Sequence, residues 1–252
     1  MKTMYHAVLA AVAFTLLLTY TPGYASKTDD HIESSARNSY IFKTFLKDDD
    51  VKIQAKDGAV ILTGIVSEES YKLLAEKTVA GLSGVKSVDN RLEIKGAPPS
   101  ANSDAWIKEK VKLTLLFHRS VNAVKTDIDV KDGVVTLRGN ATSLAQKELA
   151  AEYARDVGEV KDVRNEMTVS LANEKTSKRA VEPIDDASIT AQVNMALLLH
   201  RSTSALKTSV TTKHGVVTVK GKAGTAIIKD QVTKFVKDVH GVKSVNNQMT
   251  IK

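Results

Sequence analysis

His118-Arg119-Ser120 and His200-Arg201-Ser202 are the places where this chain sets a potential base beside a potential nucleophile. A His-Ser pair invites a nucleophilic reading, but that chemistry needs the base held against the hydroxyl and oriented by a third group. Both segments close a helical pattern, where His and Arg satisfy the last carbonyls and complement the helix dipole, and capping is the reading adopted. Arg119 and Arg201 would remain able to meet phosphate. Asp48-Asp49-Asp50 concentrates carboxylates but lacks the spaced loop of a calcium motif, and reads as a solvated turn. There is no nucleophile elbow, phosphate loop or His-Glu-x-x-His, and the 6 His are scattered. With 0 Cys there is no disulfide, thiolate site or lipid-anchor acceptor. The expectation is a non-enzyme with no catalytic, cofactor-binding or metal-ligating residue and no small-molecule substrate.

Binding through surface is what remains, and charge is its first lead. Lys and Arg number 11 against 12 Asp and Glu over residues 26–96, 11 against 11 over 97–170, but 10 against 3 over 186–252. The excess comes from Lys207, Lys213, Lys220, Lys222, Lys229, Lys234, Lys237 and Lys243. Such a surface is drawn to anionic membranes by about 1 kcal/mol per charge held near the headgroups; the plainer reading is a solvated face that keeps the chain soluble. The second lead is apolar. On one helix Ile107, Val111 and Leu115 define the buried side, while Trp106, Leu113 and Phe117 gather on another side around Lys110. Met195 and Leu199 continue that stripe in the next copy, and the first copy has His31, Asn38 and Phe42 there. An indole beside lysines suits a membrane interface; alternatively the stripe packs on a neighbouring unit.

The elements that must position these residues come in triplicate. Lys56-Asp57-Gly58-Ala59-Val60-Ile61-Leu62-Thr63-Gly64 returns as Lys131-Asp132-Gly133-Val134-Val135-Thr136-Leu137-Arg138-Gly139 and as Lys213-His214-Gly215-Val216-Val217-Thr218-Val219-Lys220-Gly221. Asp-Gly or His-Gly between alternating runs predicts a tight hairpin with positive φ at its tip. A helix precedes each hairpin, with Asp30, Ser103 and Asp186 as expected N-caps. A second helix follows over 67–79, 142–157 and 225–239, and then a third strand over 88–94, 163–169 and 245–251. The fold class is α+β: three α-β-β-α-β units, each with two helices on one face of a three-stranded mixed sheet.

Near the start of the chain come the positive Lys2, an apolar run from Ala7 to Leu18 and a small-x-small site at Gly23-Tyr24-Ala25. Residues 1–25 therefore read as a signal peptide cleaved near Ala25, and the expected address is the periplasm. Units follow at 29–96, 103–171 and 186–252. The longer, charged second linker predicts more freedom for the third unit than between the first two.

The three hairpins, the Gly-Val-x-x-Val loops at Gly84-Val85-Lys86-Ser87-Val88 and Gly241-Val242-Lys243-Ser244-Val245, and the asparagines at 90, 165 and 247 resemble the BON domain family in its tandem, osmotically inducible periplasmic type. The second copy departs, with Gly158 one place early and Glu159 where the others have Gly. The resemblance implies an envelope protein, phospholipid interaction, osmotic-stress protection and, in some members, chaperone-like support of outer-membrane biogenesis. The expected partner is therefore an anionic phospholipid surface bound peripherally through Trp106, Lys110, Leu113, Phe117, Arg119, Met195, Leu199, Arg201 and the third unit's lysines. Unfolded envelope proteins are the alternative partner. Nucleic acid would suit the charge, but export argues against it.

Overall fold

The hairpin, repeated, organises the molecule. The computed structural model describes residues 27–96, 99–121, 126–170 and 183–251; the signal segment and most of the second linker lie outside them. Unit one comprises α1 (Lys27–Asn38), α2 (Tyr40–Thr44), β1 (Asp50–Lys56), β2 (Ala59–Val66), α3 (Glu69–Ala80) and β3 (Ser87–Ile94). Unit two runs α4 (Asp104–Phe117), β4 (Thr126–Lys131), β5 (Val134–Ala141), α5 (Leu144–Arg155), β6 (Asp162–Asn165) and β7 (Thr168–Val169). Unit three runs α6 (Asp186–Leu199), β8 (Thr208–Lys213), β9 (Val216–Ala223), α7 (Ala226–Asp238), β10 (Ser244–Asn247) and β11 (Thr250–Ile251). In each, the first two strands pair antiparallel and the third returns parallel to the second.

The turn residues take the backbone their types allow. Asp57, Asp132 and His214 have φ of 54°, 54° and 53°, each followed by a glycine near +80°. An aspartate in the preceding helix's first turn then clamps each tip. Asp29 accepts from the amides of Asp57 and Gly58, Asp104 from those of Asp132 and Gly133, and Asp186 from those of His214 and Gly215. Asp186 is thus a hairpin clamp, and the cap of α6 is Asp185, accepting from Ser188 N; Asp30 likewise lies inside α1. Ser103 caps α4 as the sequence predicts.

The motif asparagines tie strand to helix. Asn90, Asn165 and Asn247 donate to the carbonyls of Lys72, Lys147 and Lys229, while each side-chain oxygen accepts the amide two residues on. The same bond is made in all three units and leaves the amides that pair with the neighbouring strand, Glu166 N to Leu137 O and Gln248 N to Val219 O, in place. The strand expected to be continuous is interrupted at Glu166-Met167 and Gln248-Met249, and Met167 and Met249 turn into the core. The departure at Glu159 costs the loop no geometry: Glu159 adopts φ 71°, close to the 89° of Gly84 and 84° of Gly241.

The three units are docked together. Unit one breaks its first helix at Ser39, which caps α2, and the outer amides of α2 are met from unit three: Tyr40 N donates to Asp185 and Ile41 N to Ser188. The first turn of α3 is met from unit two, where Glu109 accepts from Ser70 N. Where the linker's length suggested freedom for unit three, the structure has it docked, α6 packing against both α3 and α4.

Candidate functional site

The apolar stripe is the seam of the assembly. Leu113 and Phe117 of α4, with Met195 and Leu199 of α6, are buried and belong to the same core cluster as Ile41, Leu62, Leu74 and Val79 of unit one. Phe117 lies against Phe45, ring centroids 5.9 Å apart. Of the two sequence readings of this stripe, the structure places it on the neighbouring unit, so these four side chains are withdrawn from any membrane-facing surface. The geometry follows from helix spacing: one side of α4 and α6 serves its own sheet, and the other serves unit one.

Trp106 and Lys110 stay half-buried at the mouth of this seam, the Lys110 ammonium 3.3 Å from the indole centroid. Burial lowers the Lys110 pKa, and Glu159 and Glu109 work against that shift. Beside them all three units enclose an open cavity of about 690 Å³, lined by Leu73, Asn90, Trp106, Met195, Leu198 and Arg201 among others. Leu198 is 48% exposed there.

The His-Arg-Ser segments meet across the boundary of units two and three. His118 and His200 are both fully buried, with their Nε2 atoms 2.9 Å apart. His118 stacks on Tyr153 and His200 on Phe235, each at 4.0 Å between centroids. Each serine reaches the aspartate that closes the other unit's second helix: Ser120 donates to Asp238, and Ser202 donates to Asp156 at 2.6 Å. The backbone copies the exchange, Arg119 N donating to Asp238 O and Arg201 N to Asp156 O. The arrangement is a near-twofold clasp built from equivalent residues. Arg119 and Arg201 are exposed residues at the rim of the clasp: the Arg119 guanidinium lies 3.8 Å from Asp238 Oδ1 and donates to Val242 O, and that of Arg201 donates to Arg155 O. Neither serine touches a histidine, so no base–nucleophile pair is assembled. Among the described residues no group of three or more His, Asp or Glu could hold a metal.

The lysines are where charge is left over. Each sheet carries its helices on one face, and the residues of the other face alternate outward. In unit one that open face presents Asp50, Asp89 and Glu93 with Lys52, Lys56 and Arg91. In unit two its strands present Asp127, Asp129 and Asp162 with Lys131, Arg138 and Arg164. In unit three the acids are replaced by Ser209, Thr211 and Ser244, while Lys213, Lys220 and Lys222 remain, all exposed. Lys207, Lys237 and Lys243 are exposed elsewhere on the unit. Lys234 is drawn instead to Glu152 at 2.8 Å, and Lys229 to the carbonyl of Met249 at 2.7 Å. The proposed lysine set thus divides into six free side chains and two that are engaged within the described residues.

Three docked α-β-β-α-β units, the third with an unneutralised sheet face, make a tandem-repeat architecture. The BON domain matches the chain over residues 28–96, 103–170 and 185–252, and the chain belongs to that family. It is 28% identical over 194 residues to osmotically-inducible protein Y of Escherichia coli (strain K12), covering 77% of this chain and 94% of that protein. It is 30% identical over 109 residues to outer membrane lipoprotein DolP of Haemophilus influenzae, covering 42% and 56%. Among solved structures, the C-terminal domain of CdsD, a structural protein of the Chlamydia trachomatis type III secretion system, aligns at a TM-score of 0.21 and 17% identity, over 84% of this chain and 95% of that one. Among the described residues no helix is long and apolar enough to cross a membrane.

Proposed function

We propose that this chain is a non-enzymatic periplasmic protein that adheres to anionic phospholipid surface, in envelope or osmotic-stress protection. One observation carries the reading: Lys213, Lys220 and Lys222 stand on an open sheet face without a carboxylate, where the two sister faces are balanced. An open sheet face is suited to a surface rather than to a small ligand, and hydroxyls at Ser209, Thr211 and Ser244 add donors for phosphate oxygens. The similarity to an osmotically-inducible protein supports the physiological setting.

Changing Lys213, Lys220 and Lys222 to glutamine is expected to weaken sedimentation with phosphatidylglycerol-containing vesicles by about two orders of magnitude, at about 1 kcal/mol per lysine. Vesicles of phosphatidylcholine alone should bind neither protein. Equal binding of both proteins to anionic vesicles would remove the proposal.

A second reading, holding of unfolded envelope polypeptides, is favoured by the cavity at the three-unit junction, where Leu198 and Trp106 offer apolar surface. Suppression of client aggregation without lipid, reduced by Leu198→Asp, would support it over the first.

A further inference from the structure

The clasp has no place for a second proton. His200 Nδ1 lies 3.1 Å from Asp156 Oδ2 and donates to that carboxylate. A neutral His200 then has a bare Nε2, so His118 must supply the hydrogen that bridges the 2.9 Å between the two Nε2 atoms. In a neutral His118 this leaves Nδ1 bare, and it faces Asp238 Oδ2 at 3.4 Å without a hydrogen bond. One added proton can occupy that Nδ1, between the ring and Asp238. A second would have to go on His200 Nε2, setting two N–H groups and two positive rings against each other where neither ring touches water.

We propose that the His118–His200 contact is an acid-sensitive latch, and that units two and three part at this boundary when both rings become charged. The groups facing the pair are Tyr153 from α5 and Asp156 at its end, Asp238 from α7 and His240 after it, and Arg119 from the end of α4, which reaches Asp238; the charge of Arg201 stands at the rim, donating to Arg155 O. Burial above all, with His200 and His240, opposes the first proton on His118, and Asp238 favours it. With the bridge closed, a second added proton has no bare nitrogen to take except the one that accepts the Nε2–Nε2 hydrogen, so charging both rings and keeping the bridge exclude each other. The unlatched form therefore gains on the latched one as pH falls through about 6.5 and below, and docking is intact above that. Burial holds the pKa of His118, and that of His240, below the ordinary value, in keeping with this sign. Unit one has Lys43, Thr78 and Gly81 where the others have His, Tyr or Phe, and Asp, so the latch belongs to this boundary alone.

The test is residue-resolved amide exchange on the full chain. Protection at Arg119, Arg201 and His240, whose amides donate across the boundary, should fall about tenfold or more between about pH 7.5 and about pH 5, after correction for intrinsic rates. Protection in the β1–β2 hairpin should hold. The double variant His118→Gln/His200→Gln pairs by amides and should keep its cross-boundary protection. If it does not dock at neutral pH, His118→Gln alone leaves one imidazole and should likewise hold. Unchanged protection in the wild type, or loss in step in these variants, would overturn the latch. Imidazole nitrogen NMR of the wild type provides a check free of mutation: at about pH 7.5 one Nε2 should be protonated and the other bare. Two rings titrating independently in the ordinary histidine range would equally overturn it.

Discussion

Phe117→Ala should cost about 3–5 kcal/mol in urea unfolding and should release unit one from the other two. Phe117 is fully buried, and it lies within the core cluster of a unit to which it does not belong. Truncation removes its contact with Phe45 and leaves a cavity bounded by elements that are themselves held by cross-unit bonds, so collapse around it is restricted. Cleavage by a protease in the 96–102 linker should rise in parallel, because that segment is then the tether of an undocked unit. Leu115→Ala is the matched control: also fully buried, it serves unit two's own core, and its loss should destabilise without releasing unit one.

Asp238→Ala is expected to cost about 3 kcal/mol or more, through polarity rather than volume. Its carboxylate accepts from Tyr153 at 2.7 Å and from Ser120, and faces His118. These contacts hold its pKa below the usual carboxylate value although burial pushes the other way. Burial above all, and then the Asp238 carboxylate, push the Tyr153 phenol up. Removing the carboxylate leaves a Tyr153 hydroxyl enclosed without an acceptor. A double-mutant cycle separates this effect: Tyr153→Phe should recover part of the loss when combined with Asp238→Ala, whereas independent sites would add. Asp230→Ala, at an exposed position on the same helix, should stay within about 0.5 kcal/mol.

These two residues mark how far sequence reached. The hairpins were legible because Asp-Gly between alternating runs admits few backbones, and three copies in register removed the remaining ambiguity. The strand interruptions at Glu166-Met167 and Gln248-Met249 were not, since all three copies carry the same asparagine and the same asparagine bond, yet only the second and third strands break. The stripe of Leu113, Phe117, Met195 and Leu199 was visible as a second apolar side, but periodicity records only that a side is apolar, not whether lipid or protein covers it. The clasp was least legible, as His-Arg-Ser at a helix end satisfies capping logic alone. A signal did exist. His118 and His200, Tyr153 and Phe235, and Asp156 and Asp238 correspond between units two and three and have no counterpart in unit one. Residues shared by two copies and missing from the third point to a contact between those two. The lysine excess was legible as a number, while its concentration on one open sheet face needed the strand register.

Hydrogen exchange of the full chain with and without phosphatidylglycerol-containing vesicles tests the central claim most directly, that unit three adheres through its open sheet face. The account expects added protection over β8, β9 and the Lys213-His214 turn, fading as salt rises, with the corresponding strands of units one and two unchanged. Protection centred on Trp106 and Leu198 at the three-unit junction, or spread equally over all three sheets, would contradict it.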